Sequence, residues 1–352
     1  LFSSYRIMSR SLSHSTLLIV TLTILVAILL VANLFVGSVA IPVQEVFNVL
    51  TGQECARESW RYIILESRIP QAVTALLAGC SLAVAGLLLQ TTFNNPLAGP
   101  SILGIDTGAS LGVAVVMLAG GAMVVGSGVS AFLATIIGAF VGASAVMAVI
   151  LFFSTFVRNN LMLLIIGMMV GYLTSSLISL LNFFASADQV HAYTMWGMGN
   201  LSSVSLQQLP LYSVTAVCGL VIAFLLSKPL NAMLLGTRYA ENLGVNISMT
   251  RNLLLLATGL LTATTTAFCG PVTFIGLSVP HIARLLLNSS NHNTLLPVTM
   301  LCGGAVLLLC NIISVLPGDN GIIPINAVTP LIGAPVIIYV IVNQKKISYF
   351  NG

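Results

Sequence analysis

Few side chains in this sequence could perform chemistry on a bound molecule. The carboxylate that stands out is Asp106, because it lies in an otherwise apolar run at 102–119. A carboxylate within a membrane must be paired, be protonated or face water. Asp106 could instead lie near enough to the cytoplasmic interface to be solvated, and the sequence leaves both interpretations open.

Nucleotide hydrolysis by this chain is not expected. The phosphate-binding pattern G-x-x-x-x-G-K-[ST] is absent, and the carboxylates do not form a series suggesting a proton relay. We therefore predict no catalytic residue, and energy for any transport must come from another source.

Metal ligands are also not clustered. The cysteines include no CxxC pair, and all but Cys55 lie in apolar helices, where they are expected to pack as small hydrophobic side chains. The four histidines are His14, His191, His281 and His292. Their scatter predicts no metal site, no disulfide framework and no cofactor bound by this chain.

The composition indicates an integral membrane protein. The chain has 352 residues, of which 57% are hydrophobic and only 6% are charged. Soluble domains carry about 25% charged residues. Twenty ionisable Asp, Glu, Lys and Arg side chains could not cover the surface of a soluble domain this long, so burial in a bilayer explains the composition better.

Long apolar runs predict an all-α fold with about ten transmembrane helices. Membrane β-barrels alternate apolar and polar residues, whereas these runs are continuous. The predicted spans are 17–37, 69–92, 102–119, 129–154, 161–184, 206–226, 251–269, 272–287, 295–316 and 323–342. The first could be a signal peptide, but its core is longer than usual and a retained span is favoured. The whole chain, 1–352, is predicted to form one polytopic membrane domain.

The basic residues predict the orientation of the spans. With ten spans, one side receives Arg6, Arg10, Arg158, Lys228, Arg238, Arg251, Arg284, Lys345 and Lys346. The other side receives only Arg57, Arg61 and Arg68. Nine against three is a strong positive-inside bias, so both termini are predicted to be cytoplasmic. The net charge of +4 is thus explained without a nucleic-acid partner.

Two short spans follow similar Gly-Pro segments, GPSILGI at 99–105 and GPVTFIGL at 270–277. On the predicted topology the two segments run in opposite directions. Short spans at corresponding places in two halves suggest inverted repeats around a central pathway. Chance similarity in Gly-rich apolar sequence is the alternative.

The largest cytoplasmic interval contains LLGTRYAENLGVNISMTR, residues 234–251, which could form two short helices. Gly236, Ala240 and Gly244 are spaced by four residues, and small residues on one face allow another protein to dock closely. A solvated connector is the alternative interpretation.

Helix breakers interrupt the apolar sequence at TTFNNPLAGPSILG, residues 91–104. Pro96 and Pro100 stop a helix and remove two backbone donors. With this segment, RIP at 68–70, LGTRYAENLG at 235–244, GPVTFIGLSVPHIAR at 270–284 and LIGAPV at 331–336 occur in the order seen in FecCD-type permeases. The chain resembles this family, whose members are membrane subunits of ATP-binding-cassette importers for ferric siderophores, haem and cobalamin.

The resemblance implies a set of partners. Family members pair as homodimers or pseudo-dimers around a translocation path in the bacterial inner membrane. Two cytoplasmic ATPases, which use ATP and Mg, dock beneath them, and a periplasmic binding protein delivers substrate from above.

The resemblance also implies functional positions. The cytoplasmic gate would comprise Asn94, Asn95, Pro96 and Leu97 together with the turn containing Asn159 and Asn160. The coupling segment, 234–247, would contact the ATPase through Gly236, Arg238, Ala240, Glu241 and Gly244. Asn95 and Asn160 could hydrogen-bond across a closed dimer axis. A structural turn with no gating role is the alternative.

On the outer side, Arg68 matches a family position near the contact with the binding protein. Arg57 and Arg61 could add to that contact, or could pair with neighbouring glutamates. The common R-x-P-R pattern has Gln71 in place of its last arginine here. His281 is expected to satisfy a helix end instead of ligating iron.

These observations predict a permease subunit that moves an intact metal chelate, whether ferric siderophore, haem or cobalamin, into the cytoplasm. One alternative is a secondary transporter driven by an ion gradient through Asp106. A membrane scaffold without transport activity is the other.

Overall fold

The computed structural model describes residues 2–119, 129–157, 159–316, 318 and 321–343. All regular secondary structure in these ranges is helical. The α-helices are α1 (Phe2–Phe35), α2 (Val43–Leu50), α3 (Glu58–Tyr62), α4 (Ile69–Thr92), α5 (Ile105–Ala114), α6 (Val129–Phe156), α7 (Asn160–Phe184), α8 (Ala187–Gly197), α9 (Leu209–Leu225), α10 (Ser227–Met233), α11 (Thr237–Asn242), α12 (Ile247–Cys269), α13 (Ile275–Leu287), α14 (His292–Val315) and α15 (Ile325–Val342). The all-α prediction is confirmed.

The predicted spans correspond to helices in the structure. Seven helical segments in the described residues are long and apolar enough to cross a membrane, and α9 with α10 makes an eighth that bends by 48°. Two shorter apolar helices, Ile105–Ala119 and Ile275–Leu287, occupy the remaining predicted positions. The second span is longer than predicted, because π-helical turns at Ile63–Arg68 join α3 to α4.

Helix α4 lies at the centre of the structure and is buried along nearly its whole length. Glycines let it approach its neighbours with backbone against backbone. A Cβ atom added at Gly79 would lie 2.2 Å from the carbonyl oxygen of Gly303 in α14. One added at Gly86 would lie 1.7 Å from that of Gly276 in α13. Helix α4 is therefore fixed against both neighbours by contacts that no larger residue permits.

The peripheral helices have a different character. In the apolar stretch of α1, only 22% of the residues are buried; the corresponding shares are 22% for α7 and 28% for α15. Their outward side chains are large and apolar, as at Leu173, Phe183 and Leu331. Such faces suit lipid or another membrane subunit.

The two Gly-Pro segments share a local geometry. In each, a residue with left-handed backbone conformation directly precedes a short apolar helix: Gly104 (φ 75°) before α5 and Phe274 (φ 68°) before α13. A repeat would require this shared geometry. The inverted relation of the two halves stays a prediction.

Candidate gate and coupling site

The turn at residues 94–97 begins where α4 ends in a Schellman motif. The Asn95 N–H donates to the carbonyl of Gln90 (3.0 Å), and the Asn94 N–H donates to that of Thr91 (3.2 Å). Asn94 itself adopts φ 45°, a left-handed conformation that asparagine tolerates better than most residues. Pro96 follows and cannot continue the helix. The breakers noted in the sequence thus form a defined helix end.

Asn95 and Leu97 differ in exposure and role. The Leu97 N–H donates to Asn95 Oδ1 at 2.9 Å, which closes an Asx turn. The Leu97 side chain is 43% exposed, although it is apolar. The turn therefore presents an aliphatic side chain on a backbone stabilised by Asn95.

The second predicted gate turn contacts the first within the same chain. Asn159 caps α7 by accepting from the Leu161 N–H at 2.8 Å. Asn160 donates from Nδ2 to the carbonyl oxygen of Thr92 at 2.6 Å. Arg158, between the two helices, lies outside the described residues. The Asn95 and Asn160 amides already have partners in one chain, and a bond between them across a dimer axis stays a prediction.

Arg251, in the first turns of α12, organises the same region. Its guanidinium is only 5% exposed and donates to the carbonyls of Ser154 and Val157, the latter at 3.1 Å. It also lies 3.5 Å from Asn160 Oδ1. An arginine donates in several directions from one planar group, which suits it to holding an irregular turn. In the sequence Arg251 stands out only as one of the basic residues that predict orientation.

Three further buried polar residues, Gln90, His281 and Arg284, form hydrogen bonds at the end of α4. None of them is among the residues predicted for the gate. Arg284 Nη1 donates to Gln90 Oε1 at 2.5 Å, and Gln90 Nε2 donates to the carbonyl of Leu277 at 3.1 Å. His281 Nε2 donates to the carbonyl of Pro96 at 2.8 Å. His281 thus satisfies the backbone of the gate turn that follows α4. No signal in a single sequence links positions so far apart.

The coupling segment forms one short helix, α11, between α10 and α12. Gly236 (φ 98°) and Gly244 (φ 83°) flank α11 in backbone conformations that favour glycine. Arg238 and Glu241 are exposed.

Ala240 is fully buried against the rest of the chain, so it is not part of an exposed docking face, whereas Gly236 and Gly244 are exposed. Three large apolar side chains in and beside α11 are exposed instead: Leu235 (64% exposed), Tyr239 (54%) and Leu243 (59%). We call these three residues the apolar stripe. An apolar surface of this kind beyond the membrane spans marks an interaction site.

A polar cavity of about 620 Å³ lies between the coupling segment and the end of α6. Ser154, Arg238, Glu241, Asn246 and Arg251 are among its lining residues. The coupling segment is therefore not packed directly onto the end of α6 along this side, and the Arg251 side chain forms part of the cavity wall.

Asp106 is buried, with 7% of its surface exposed. Thr266 Oγ1 donates to its Oδ1 at 2.9 Å, and the Ser101 hydroxyl also interacts with the carboxylate. The residue lies in the first turn of α5, where the helix dipole favours a negative charge. It borders a cavity of about 170 Å³ lined by both Gly-Pro segments. Burial argues against the interpretation that Asp106 is simply solvated at the interface.

The outer arginines separate into two kinds. Arg57 and Arg61 are exposed, and the Arg57 guanidinium lies 4.9 Å from the centre of the Trp60 ring. Arg68 is only 4% exposed and donates to the carbonyls of Leu34 (2.8 Å), Phe35 (3.0 Å) and Val39.

The Arg68 guanidinium is therefore directed into the chain, and its contact with a binding protein stays a prediction. Arg68 caps the C-terminus of α1, because the last carbonyls of a helix lack intrahelical donors. Gln71, the departure from the R-x-P-R pattern, donates from Nε2 to Asn311 Oδ1 at 2.9 Å inside the chain.

Comparison with known proteins gives these positions a family context. A model of the FecCD transport family matches residues 24–343. The chain belongs to the FecCD transport family. The resemblance drawn from the sequence motifs is confirmed, and the many apolar spans indicate a protein of the inner membrane.

Individual relatives match over most of their length. The chain is 34% identical over 307 residues to the vitamin B12 import system permease protein BtuC of Photorhabdus laumondii, covering 84% of this chain and 89% of the relative. It is 29% identical over 329 residues to the hemin transport system permease protein HmuU of Yersinia pestis, covering 92% and 95%.

A solved structure shares the fold. The inward-facing structure of a metal-chelate type ABC transporter matches with a TM-score of 0.80 and 29% identity, covering 93% of this chain and 98% of that one. The similarity extends across the gate turns, the coupling segment and the outer arginines, because all of them lie within the matched family range.

Proposed function

We propose that this chain is the membrane-spanning permease subunit of an ATP-binding-cassette importer. In this proposal two copies pair around a translocation path, two ATPases dock on their coupling segments, and a periplasmic protein delivers cargo. The chain catalyses no reaction, because ATP and Mg are used by the ATPases. Both termini lie in the cytoplasm.

The apolar stripe on the coupling segment is the observation that carries this proposal. Leu235, Tyr239 and Leu243 are exposed beside the charged Arg238 and Glu241. Aromatic and aliphatic side chains surrounded by polar groups are typical of protein interfaces. A cytoplasmic ATPase is the partner that the family membership supports.

The placement of the other residues supports transport from the outer side to the cytoplasm. The gate turns and the coupling segment lie near one end of α4, at Thr92, while Arg57 and Arg61 precede its other end. A helix of 24 residues spans about 36 Å, enough to separate a cytoplasmic face from an outer one. Arg57 and Arg61 would steer the binding protein, whereas Asn94, Asn95, Pro96, Leu97, Asn159 and Asn160 form the gate.

The cargo in this proposal is an intact metal chelate. Its support is that the relatives are import permeases for vitamin B12 and hemin, and that the solved neighbour is a metal-chelate type transporter. These molecules are large and carry their metal in a finished coordination sphere. A permease for them needs a path that neither strips the metal nor binds the chelate tightly.

Reconstitution tests the proposal. The chain is expressed together with a cassette ATPase, inserted into liposomes, and supplied with the periplasmic protein and labelled cyanocobalamin, hemin or a ferric siderophore. We expect uptake of at least one cargo that requires ATP and Mg. The absence of any stable complex between the chain and the ATPase would contradict the proposal.

Asp106 favours a second candidate, a transporter driven by an ion gradient, because this buried carboxylate borders a cavity among the spans. The same liposomes distinguish the two. A proton or sodium gradient without ATP should give no uptake, and Asp106→Asn should leave uptake driven by ATP largely intact. Gradient-driven uptake that Asp106→Asn abolishes would establish the alternative.

A further inference from the structure

Two polar residues bracket the coupling segment in the sequence and in space. Asn231 lies in α10, just before residue 234, and Arg251 lies in α12, just after residue 247. Each begins a chain of hydrogen bonds that leads away from the coupling segment. The two chains end on consecutive residues, Thr91 and Thr92, which are the last residues of α4 before the gate turn.

The upstream arm runs from Asn231 through His292 to Thr91. Asn231 Oδ1 accepts from the backbone N–H of His292 at 2.7 Å, which identifies this atom as the oxygen of the amide. The same oxygen lies 3.0 Å from His292 Nδ1, so Nδ1 carries a proton and donates it. In the neutral imidazole Nε2 then accepts from the Thr91 hydroxyl at 2.9 Å.

The downstream arm runs from Arg251 through Asn160 to the carbonyl of Thr92. Arg251 holds the carbonyls of Ser154 and Val157 and lies 3.5 Å from Asn160 Oδ1. Asn160 Nδ2 donates to the Thr92 carbonyl at 2.6 Å. Asn160 therefore connects α12 and the second gate turn to the end of α4.

Both arms are buried where they reach α4. His292 is 1% exposed, Arg251 5% and Thr92 1%. Hydrogen bonds in such surroundings are costly to leave unmade, so a displacement at one end is favoured to carry its partners along. Arg251 also lines the polar cavity beside α11, so the downstream arm begins at the wall of that cavity.

We propose that Asn231 and His292 on one side, and Arg251 and Asn160 on the other, transmit movement of the coupling segment to the gate turn. They are positioning residues, since none of them needs to touch cargo or nucleotide. The inference rests on the proposed function, because an ATPase must move the coupling segment. Two arms acting on adjacent residues would turn the end of α4 as a unit.

The test uses the full complex of permease and ATPase in liposomes, with a cysteine reporter at the gate. Leu97→Cys is introduced together with Cys55→Ser and Cys218→Ala, and its reaction rate with a polar maleimide is measured with and without ATP, Mg and vanadate. Removing Cys55 and Cys218 takes away the cysteines that are not buried.

We expect nucleotide to change the labelling rate in this parent protein. Thr91→Val breaks the upstream arm and Arg251→Met breaks the downstream one. Each should shrink the nucleotide-dependent change by about fivefold or more, the range of typical coupling between sites. Thr91→Ser, which keeps the hydroxyl, should restore it, and ATP hydrolysis should continue in every variant.

Thr299→Val is the matched control. Thr299 is fully buried in α14, the helix that carries His292, and its hydroxyl has no hydrogen-bond partner in the described structure. This control should respond to nucleotide as the parent does. If Thr91→Val fails to assemble, Asn231→Ala breaks the same arm from its other end, and the expectation is the same.

The outcomes distinguish a failure of the proposed function from a failure of the two hydrogen-bonded arms. A parent complex whose Leu97→Cys reporter ignores nucleotide would contradict the ATPase-driven gate itself. A responsive parent with unchanged responses in Thr91→Val, Asn231→Ala and Arg251→Met would overturn the two arms and leave the proposed function standing. Equal loss in Thr299→Val would also overturn them, since the effect would then reflect general core damage.

Discussion

Helix α4 is held in two different ways along its length. Its middle is held by glycine contacts in which the backbone of α4 touches α14 at Gly303 and α13 at Gly276. Its last turn forms hydrogen bonds with the side chains of Arg284, His292 and Asn160. Backbone contacts leave no room for adjustment, whereas hydrogen-bonded side chains can move together with the helix end. One helix thus combines a fixed body with an end that can be repositioned.

The largest expected effect comes from the fixed part. Gly86→Ala places a Cβ atom 1.7 Å from the Gly276 carbonyl oxygen, so α4 and α13 must separate. We expect the free energy of unfolding to fall by about 3 kcal/mol, measured by denaturation in detergent micelles. Gly197→Ala is the control, since a Cβ there meets nothing within 4 Å. Equal stability of the two variants would contradict the claim that glycine contacts fix the middle of α4.

A substitution at the polar end of α4 should lower the free energy of unfolding less than Gly86→Ala does. Gln90→Leu removes the acceptor of Arg284 and the donor to the Leu277 carbonyl. The free energy of unfolding should fall by about 2 kcal/mol, because two buried polar groups lose a partner. The same denaturation measurement applies, with Thr299→Val as the control. A loss larger than that of Gly86→Ala would reverse the assignment of the fixed and adjustable parts.

The apolar stripe lies outside both parts of α4, and substitutions there test binding of a partner instead of stability. Tyr239→Ala with Leu243→Ala should weaken ATPase binding by about tenfold or more, or ~1.4 kcal/mol, and leave unfolding unchanged. Leu211→Ala, at an exposed apolar position of α9, serves as the control. Unaltered affinity in a titration of the purified ATPase would argue against the stripe as its docking surface.

The smallest effect is expected at the outer arginines. Arg57→Ala and Arg61→Ala should slow association with the periplasmic protein several-fold at low salt, because exposed charges act mainly on the association rate. Arg68→Met should not share that salt-dependent effect and should instead lower stability by removing the α1 cap. Stopped-flow binding at two salt concentrations measures the difference. Identical behaviour of all three would restore Arg68 to the docking surface.

Hydropathy predicted the spans well because bilayer burial acts on continuous stretches of residues. The end of α4 was also predictable, since Asn94 and Pro96 have local backbone preferences that stop a helix. These are properties of neighbouring residues. Hydropathy and backbone preference can be assessed without knowing which residues pack against the segment.

The sequence could not predict the direction in which a side chain points. Arg68 belongs to the outer side by topology, yet its guanidinium turns inward to α1. Ala240 belongs to the coupling segment, yet it faces the chain and leaves Tyr239 and Leu243 outside. Hydropathy gives the depth of a residue in the membrane and does not give the face of the helix on which it lies.

The long-range contacts were not predictable from one sequence. Gly79 meets Gly303, and Thr91 meets His292, across separations of roughly two hundred residues. Glycine, threonine and histidine each have many unremarkable roles in apolar helices. Only the packing of α4 against its neighbours identifies these particular ones.

The apolar stripe also has a consequence for how the subunit survives after synthesis. In the proposed function, a chain inserted into the membrane without an ATPase would display the exposed Leu235, Tyr239 and Leu243 to the cytoplasm. Exposed side chains of this kind are what chaperones and proteases recognise in unassembled proteins. ATPase docking would hide the stripe, so the surface that couples the two subunits would also mark an orphan permease for removal.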